Sequence, residues 1–171
     1  MPEEKRPKHV QIYTDGSSKG NPGPGGYGTV LVFGKFRKEM SQGYACTTNN
    51  RMEIMAVIAG LEALFETCEV TVHSDSKYVV QAFNDKWIAG WKKRGWKTSK
   101  KEPVKNKDLW LRLDALASKH TVHWKWVKGH SGNKYNEICD ELATTAVGAM
   151  GALEIQNADL LGLIIDNGSG N

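Results

Sequence analysis

The chain has 171 residues, 40% of them apolar, which is enough for one sizeable core and one domain. No apolar run reaches the roughly 18 residues of a membrane span, and no apolar segment follows the charged N-terminus, so a transmembrane helix and a secretory signal are both argued against. Net charge is only +4, and the cysteines (Cys46, Cys68, Cys139) are odd in number with no C-x-x-C, which speaks against a disulfide framework or a zinc site and for a reducing, cytoplasmic setting.

Residues 1–8 are expected to be a flexible leader. Val10, Ile12 and Thr14 then alternate with Gln11, Tyr13 and Asp15, the period-2 pattern of a strand. After this strand the run 19–28 is rich in glycine and proline. It is expected to turn with little side-chain bulk, leaving room for a ligand's backbone. Asp15 faces that opening and is the expected hub of a metal site. Residues 27–33 read as a second strand, Gly34-Lys35 as a hairpin connection and 36–45 as an outer strand, together an antiparallel meander.

Thr47-Thr48-Asn49-Asn50-Arg51 supplies N-cap candidates for a long helix running to about residue 66. Its residues are apolar on most sides, as in a helix lying across a sheet. Glu53 shares a face with Ala56, Val57 and Gly60, a packing face on which an unpaired carboxylate needs a cation or a shifted pKa. A favourable place near the helix N-terminus explains Glu53 equally well. Residues 69–74 form a short strand ending in Asp75-Ser76, with a helix over 77–83. An acid at the carboxyl end of such a strand is where open α/β sheets place ligand chemistry. An N-cap is the plainer reading of the same acid.

Between Lys86 and Lys107 nine basic residues stand against one acid, Glu102, so the rest of the chain is net acidic. Trp87, Trp91 and Trp96 interleave with Lys92, Lys93, Arg94 and Lys97, a combination used by grooves that hold nucleic acid. Residues 109–116 read as a helix, and Val122, Trp124 and Trp126 alternate as a fifth strand. Glycines flank His130 in a loop over 129–134. The last helix spans about 135–147, with Asn136 and Asp140 on a face away from its apolar stripe. The tail, 148–171, carries Leu160-Leu161-Gly162-Leu163-Ile164-Ile165, too short to cross a membrane.

The order βββαβα…αβα implies an α/β fold, with a five-stranded mixed sheet flanked by helices. Carboxylates gathered at one end of such a sheet would repel one another unless cations bind. Hard oxygen donors without histidine or cysteine select magnesium or manganese. Two such ions, about 3.5–4 Å apart, suit phosphodiester hydrolysis.

Several segments resemble ribonuclease H of the bacterial type 1 class. They are Thr14-Asp15-Gly16-Ser17 with Asn21-Pro22-Gly23-Pro24-Gly25-Gly26-Tyr27-Gly28; Thr47-Thr48-Asn49-Asn50-Arg51-Met52-Glu53; Ser74-Asp75-Ser76; Trp91-Lys92-Lys93-Arg94-Gly95-Trp96-Lys97-Thr98; Pro103-Val104-Lys105-Asn106 with Asp108-Leu109-Trp110; Trp126-Val127-Lys128-Gly129-His130; and Cys139-Asp140-Glu141-Leu142-Ala143. They lie in family order across about 9–147, which would make that span a catalytic domain with a basic protrusion over about 86–107. The resemblance implies a ribonuclease H-like fold and a monomeric enzyme that cuts the RNA strand of RNA–DNA hybrids, leaving a 3′-hydroxyl and a 5′-phosphate.

It implies Asp15, Glu53, Asp75 and Asp140 as catalytic ligands of Mg2+, or Mn2+, with Asp15 bridging two ions, and His130 as an aid to proton transfer or product departure. Asn21, Asn49 and Asn50 would contact the substrate, and Thr48 a DNA phosphate. Trp87 and Trp91 would pack on DNA sugars, while Lys92, Lys93, Arg94 and Lys97 grip the backbone. The chain departs from the family pattern at Ser18-Lys19, at Lys77 (where a well-known bacterial pattern has Gln), at Gly90 (where some relatives have Asn), at Asn133-Lys134-Tyr135 and in its tail.

Overall fold

The computed structural model describes residues 7–149. The alternating pattern that begins the chain becomes β1 (Lys8–Ser18), followed by β2 (Gly23–Phe33) and β3 (Phe36–Thr47) in an antiparallel meander. Helix α1 (Asn49–Glu62) crosses over to β4 (Cys68–Ser74), which pairs with β1 in parallel. Helices α2 (Lys77–Asn84), α3 (Trp87–Lys93) and α4 (Lys107–Ala117) then lead to β5 (Thr121–Trp126), parallel to β4, and α5 (Lys134–Ala149) closes the described chain. The sheet order β3-β2-β1-β4-β5 is the expected five-stranded mixed sheet.

Helix α1 is buried nearly all round, as its composition predicts: Met52, Ile54, Ala56, Val57, Ile58 and Leu61 are all shielded from solvent. It ends four residues earlier than the periodicity suggests. The Ala63 N–H turns back to the Gly60 and Leu61 carbonyls, and Phe65 beyond it is 95% exposed, so nothing packs there to extend the helix.

The glycine run also differs from the sequence reading. Only residues 19–22 turn; Gly23 onward is already β2. A Cβ on Gly26 would lie 2.8 Å from the Ala143 carbonyl, and one on Gly28 would meet the Cys139 carbonyl, both in α5. On the opposite face a Cβ on Gly16 would strike the Met52 backbone of α1. These glycines let two helices press onto the sheet from its two faces. The bare backbone is filled by protein rather than by a ligand.

Two further anchors hold the helices in place. The Arg51 guanidinium, fully buried in α1, receives Asp108 of α4 in a two-pronged ion pair with both contacts at 2.9 Å. At the start of α5, Tyr135 packs on Tyr13 (4.8 Å between ring centroids), which stacks on His73 at 4.3 Å. Most of the predicted leader and tail lies outside the described residues. Within them, β1 begins at Lys8 and α5 reaches Ala149.

Candidate active site

Each acid singled out in the sequence arrives on a different element. Asp15 projects from β1 opposite Gly28 of β2, and its Oδ1 accepts the Gly16 N–H at 2.9 Å. Glu53 comes from the second turn of α1, Asp75 from the residue after β4, and Asp140 from α5. Ligand oxygens of Asp15, Glu53 and Asp75 lie within 4.8 Å of one another. Asp140 joins them beside Asp15, whose carboxyl its charge pushes up. They line a cleft of about 480 Å³ together with Asn49, Asn50, Lys77 and His130.

Burial and mutual repulsion govern the electrostatics of this cluster. Burial, then the neighbouring charges of Asp75 and Asp140, pushes the Asp15 carboxyl up to about 8, against a small opposing pull from the Gly16 N–H. Glu53 is raised well above the ordinary carboxylate range by the same causes, burial first and then Asp75 and Asp15. Glu53 Oε1 and Asp75 Oδ1 are buried and accept no hydrogen bond among the described residues. Two buried carboxylate oxygens without donors, in a cluster that also gathers Asp15, are what a hard divalent cation satisfies. The donor set therefore fits magnesium or manganese.

His130 lies in this cleft on the loop after β5, in the left-handed region at φ 54°. The loop can approach because residue 129 is glycine: a Cβ there would stand 2.7 Å from Asp75 Oδ2.

Tyr78 links the acid cleft to a second one. Its hydroxyl accepts from Asn106 Nδ2 and Trp110 Nε1, both at 3.3 Å, and it lines both cavities. The second cleft, about 380 Å³, is walled by Trp87, Trp91, Arg94, Lys100 and Lys105. The basic Trp-rich stretch thus comprises α3 and a turn closed by the Lys97–Pro103 bridge.

The remaining predicted contacts are distributed unevenly. Asn49 and Asn50 open α1 beside the acids, and Asn21 Oδ1 accepts the Asn49 N–H at 2.7 Å, tying the β1–β2 turn to that helix. Thr48 is only 1% exposed and its hydroxyl caps α1 by accepting from the Arg51 N–H. Trp91 is 7% exposed, packed against Trp87, Trp96 and Trp110, so it presents little more than an edge. Lys92 is paired with Asp114 at 2.6 Å, whereas Lys93 is exposed. Arg94 donates to the Lys97 carbonyl, and its guanidinium folds back over Gly90, where a Cβ would crowd it at 3.3 Å. The Gly90 departure makes room for that arginine. Two features escaped the sequence reading: Tyr78 as the link between clefts, and the Arg51–Asp108 pair. A basic residue one turn into a buried helix was the only signal for the latter.

A family model described as RNase H matches residues 7–148. The chain belongs to the ribonuclease H family. A ribonuclease H of Pseudoalteromonas translucida is 57% identical over 147 residues, covering 86% of this chain and 95% of that one. Among solved structures, LC9-RNase H1, described as a type 1 RNase H with the type 2 active-site motif, aligns with a TM-score of 0.76 at 28% identity, over 95% of this chain and 85% of that one. LC11-RNase H1, solved in complex with an RNA/DNA hybrid, aligns at 0.62 and 27% identity, over 81% and 96% of the respective chains. The five-stranded sheet is therefore a ribonuclease H fold. Among the described residues, no helix is long and apolar enough to cross a membrane.

Proposed function

We propose that this ribonuclease H hydrolyses the RNA strand of RNA–DNA hybrids with two divalent cations, leaving 3′-hydroxyl and 5′-phosphate ends. The observation that carries the reading is the convergence of Asp15, Glu53, Asp75 and Asp140 beside a basic, tryptophan-walled cleft that opens next to theirs. Asp15, placed between the Glu53–Asp75 pair and Asp140, would hold both ions. Bound magnesium would supply water activation and neutralise charge on the leaving oxygen.

The chain's own residues do the rest. Asn49 and Asn50 at the start of α1, with Asn21 beside them, lie where the RNA minor groove would pass, and amides suit hydrogen bonds to 2′-hydroxyls. His130 stands at the mouth of the acid cleft, placed to take or give a proton as the product leaves. The second cleft would hold the DNA strand, with Trp87 and the edge of Trp91 against sugars, and Lys93, Arg94 and Lys97 toward phosphates. Thr48 would act there through its cap, by fixing the first turn of α1. The chain is read as a cytoplasmic monomer; free thiols at Cys46, Cys68 and Cys139 support a reducing compartment.

The test is cleavage of a labelled hybrid with magnesium, beside single-stranded RNA, RNA duplex and DNA duplex, each with a chelator control. Cutting confined to the RNA strand of the hybrid, and lost with chelator, is expected. Equal cutting of DNA duplex would refute the substrate assignment.

A further inference from the structure

Asp75 is the one half-buried member of the Asp15, Glu53 and Asp75 cluster, and it stands outside regular structure, after β4 and before α2. After burial itself, the charge of Asp75 is what most raises the carboxyls of Asp15 and Glu53. The repulsion is mutual, so it drives the Asp75 carboxylate outward. Its Oδ1 accepts no hydrogen bond among the described residues, so the hold on this acid lies in its backbone.

The peptide that joins Asp75 to Ser76 is gripped at both ends. The Ser76 N–H donates to Ser74 Oγ at 3.1 Å, and the Asp75 carbonyl accepts from Trp126 Nε1 at 3.1 Å. Helix α2 takes its first bond one residue later, where the Val80 N–H donates to the Ser76 carbonyl. The Asp75 carbonyl thus falls between the β4 ladder and the helix, and the indole reaches it there. Trp126 is itself well placed for this. It ends β5 in register with Ser74, and the next N–H, that of Val127, donates to the Ser74 carbonyl at 2.9 Å. Trp126 is 44% exposed, so burial of its ring is not what keeps it there.

A carboxylate on a peptide free to turn would relax away from its charged neighbours, and a cation would have to draw it back on binding. We infer that Trp126 is a positioning residue for Asp75: its indole N–H fixes the Asp75–Ser76 peptide and keeps the carboxylate turned toward Asp15 and Glu53, where the cation needs it. The inference rests on the cation reading given above. It assigns Trp126 no contact with the substrate or the ion.

The experiment measures magnesium binding to the full chain without substrate, from the amide chemical shifts of Gly16 and Ser76 during titration, for wild type, Trp126→Phe and Ser74→Ala. Phenylalanine keeps a ring beneath the Lys77 ammonium, which lies 5.0 Å from the Trp126 ring centroid, and removes the donor. Alanine at 74 frees the other end of the same peptide. In both variants the magnesium Kd should rise about tenfold, as when a metal ligand loses an outer hydrogen-bond partner. The magnesium concentration for half-maximal cleavage should rise with it, while hybrid affinity in chelator stays at the wild-type value. Thermal unfolding in chelator separates a merely structural role: a lowered melting temperature with a wild-type magnesium Kd would overturn the inference. A wild-type Kd in Ser74→Ala would overturn it even if Trp126→Phe failed to fold. Either result leaves the cation reading intact, provided the wild type binds magnesium. A wild type that binds neither magnesium nor manganese would overturn the cation reading, and this inference with it.

Discussion

Asp15→Asn should make the metal-free protein more stable at alkaline pH, although it should abolish cleavage. Asp15 is 7% exposed, and its nearest carboxylate neighbours have oxygens within 4.8 Å. One such pair of charges repels by about 3.5 kcal/mol at an effective dielectric constant of 20 and the 4.8 Å separation. Asparagine keeps the oxygen that accepts the Gly16 N–H and removes the charge. The variant should therefore gain about 2–4 kcal/mol at pH 8.5, or roughly 5–15 °C in melting temperature.

The pH dependence follows from the proton balance. The folded protein holds the Asp15 proton up to about pH 8, whereas the unfolded chain releases it near pH 4. Between these values the folded state binds more protons, so wild-type stability falls as pH rises. The Asn variant lacks this loss. The gap between them should be small at about pH 4.5 and open toward pH 8.5. Thermal unfolding in chelator across this range is the assay. Magnesium should narrow the gap, because the cation gives the wild type the compensation that the amide gives the variant. A variant less stable than wild type at pH 8.5, or a gap independent of pH, would refute the account of the acid cluster.

Gly28→Ala should cost about 1–3 kcal/mol, because the new methyl would meet the Cys139 carbonyl and stand 2.7 Å from Leu142 Cβ. It should also lower kcat by lifting the segment of α5 that carries Asp140; a fully active variant would show that α5 can shift without moving that acid. Asp108→Ala leaves the buried Arg51 guanidinium without its main counter-charge and should cost about 2–4 kcal/mol in urea unfolding. Lys93→Ala with Arg94→Ala should flatten the salt dependence of hybrid binding by about 1.4–1.8, and Lys92→Ala by less than either alone, since Asp114 already neutralises it. Equal effects of Lys92 and Lys93 would show that the Lys92–Asp114 pair opens on binding.

The elements were legible because their patterns are strong. Val10, Ile12 and Thr14 alternate without interruption, and α1 is apolar on nearly every side, which fixes a strand and a crossing helix before any contact is known. Convergence of the acids was legible for a different reason. Glu53 on a packing face fits a cation partner and a helix N-terminus equally well, and the family motifs around Asp15, Glu53, Asp75 and Asp140 are what gather the four acids. Trp91 and Thr48 show the limit of this reasoning. An aromatic among lysines and a hydroxyl before a helix each have two uses, and exposure distinguishes them. Trp91 is nearly enclosed by other tryptophans, and the Thr48 hydroxyl is spent on the α1 cap.

The glycine run marks the deeper gap. A residue without a side chain leaves the same trace in a sequence whether its space is filled by solvent, ligand or another helix. Gly26 and Gly28 face α5, and Gly16 faces α1, partners far away in the chain. These contacts also set the site. With α1 against Gly16 and α5 against Gly28, Glu53 and Asp140 arrive from opposite faces at the strand carrying Asp15. Glycines that suggest room for a ligand in the sequence instead bring the carboxylates close enough to hold a cation between them.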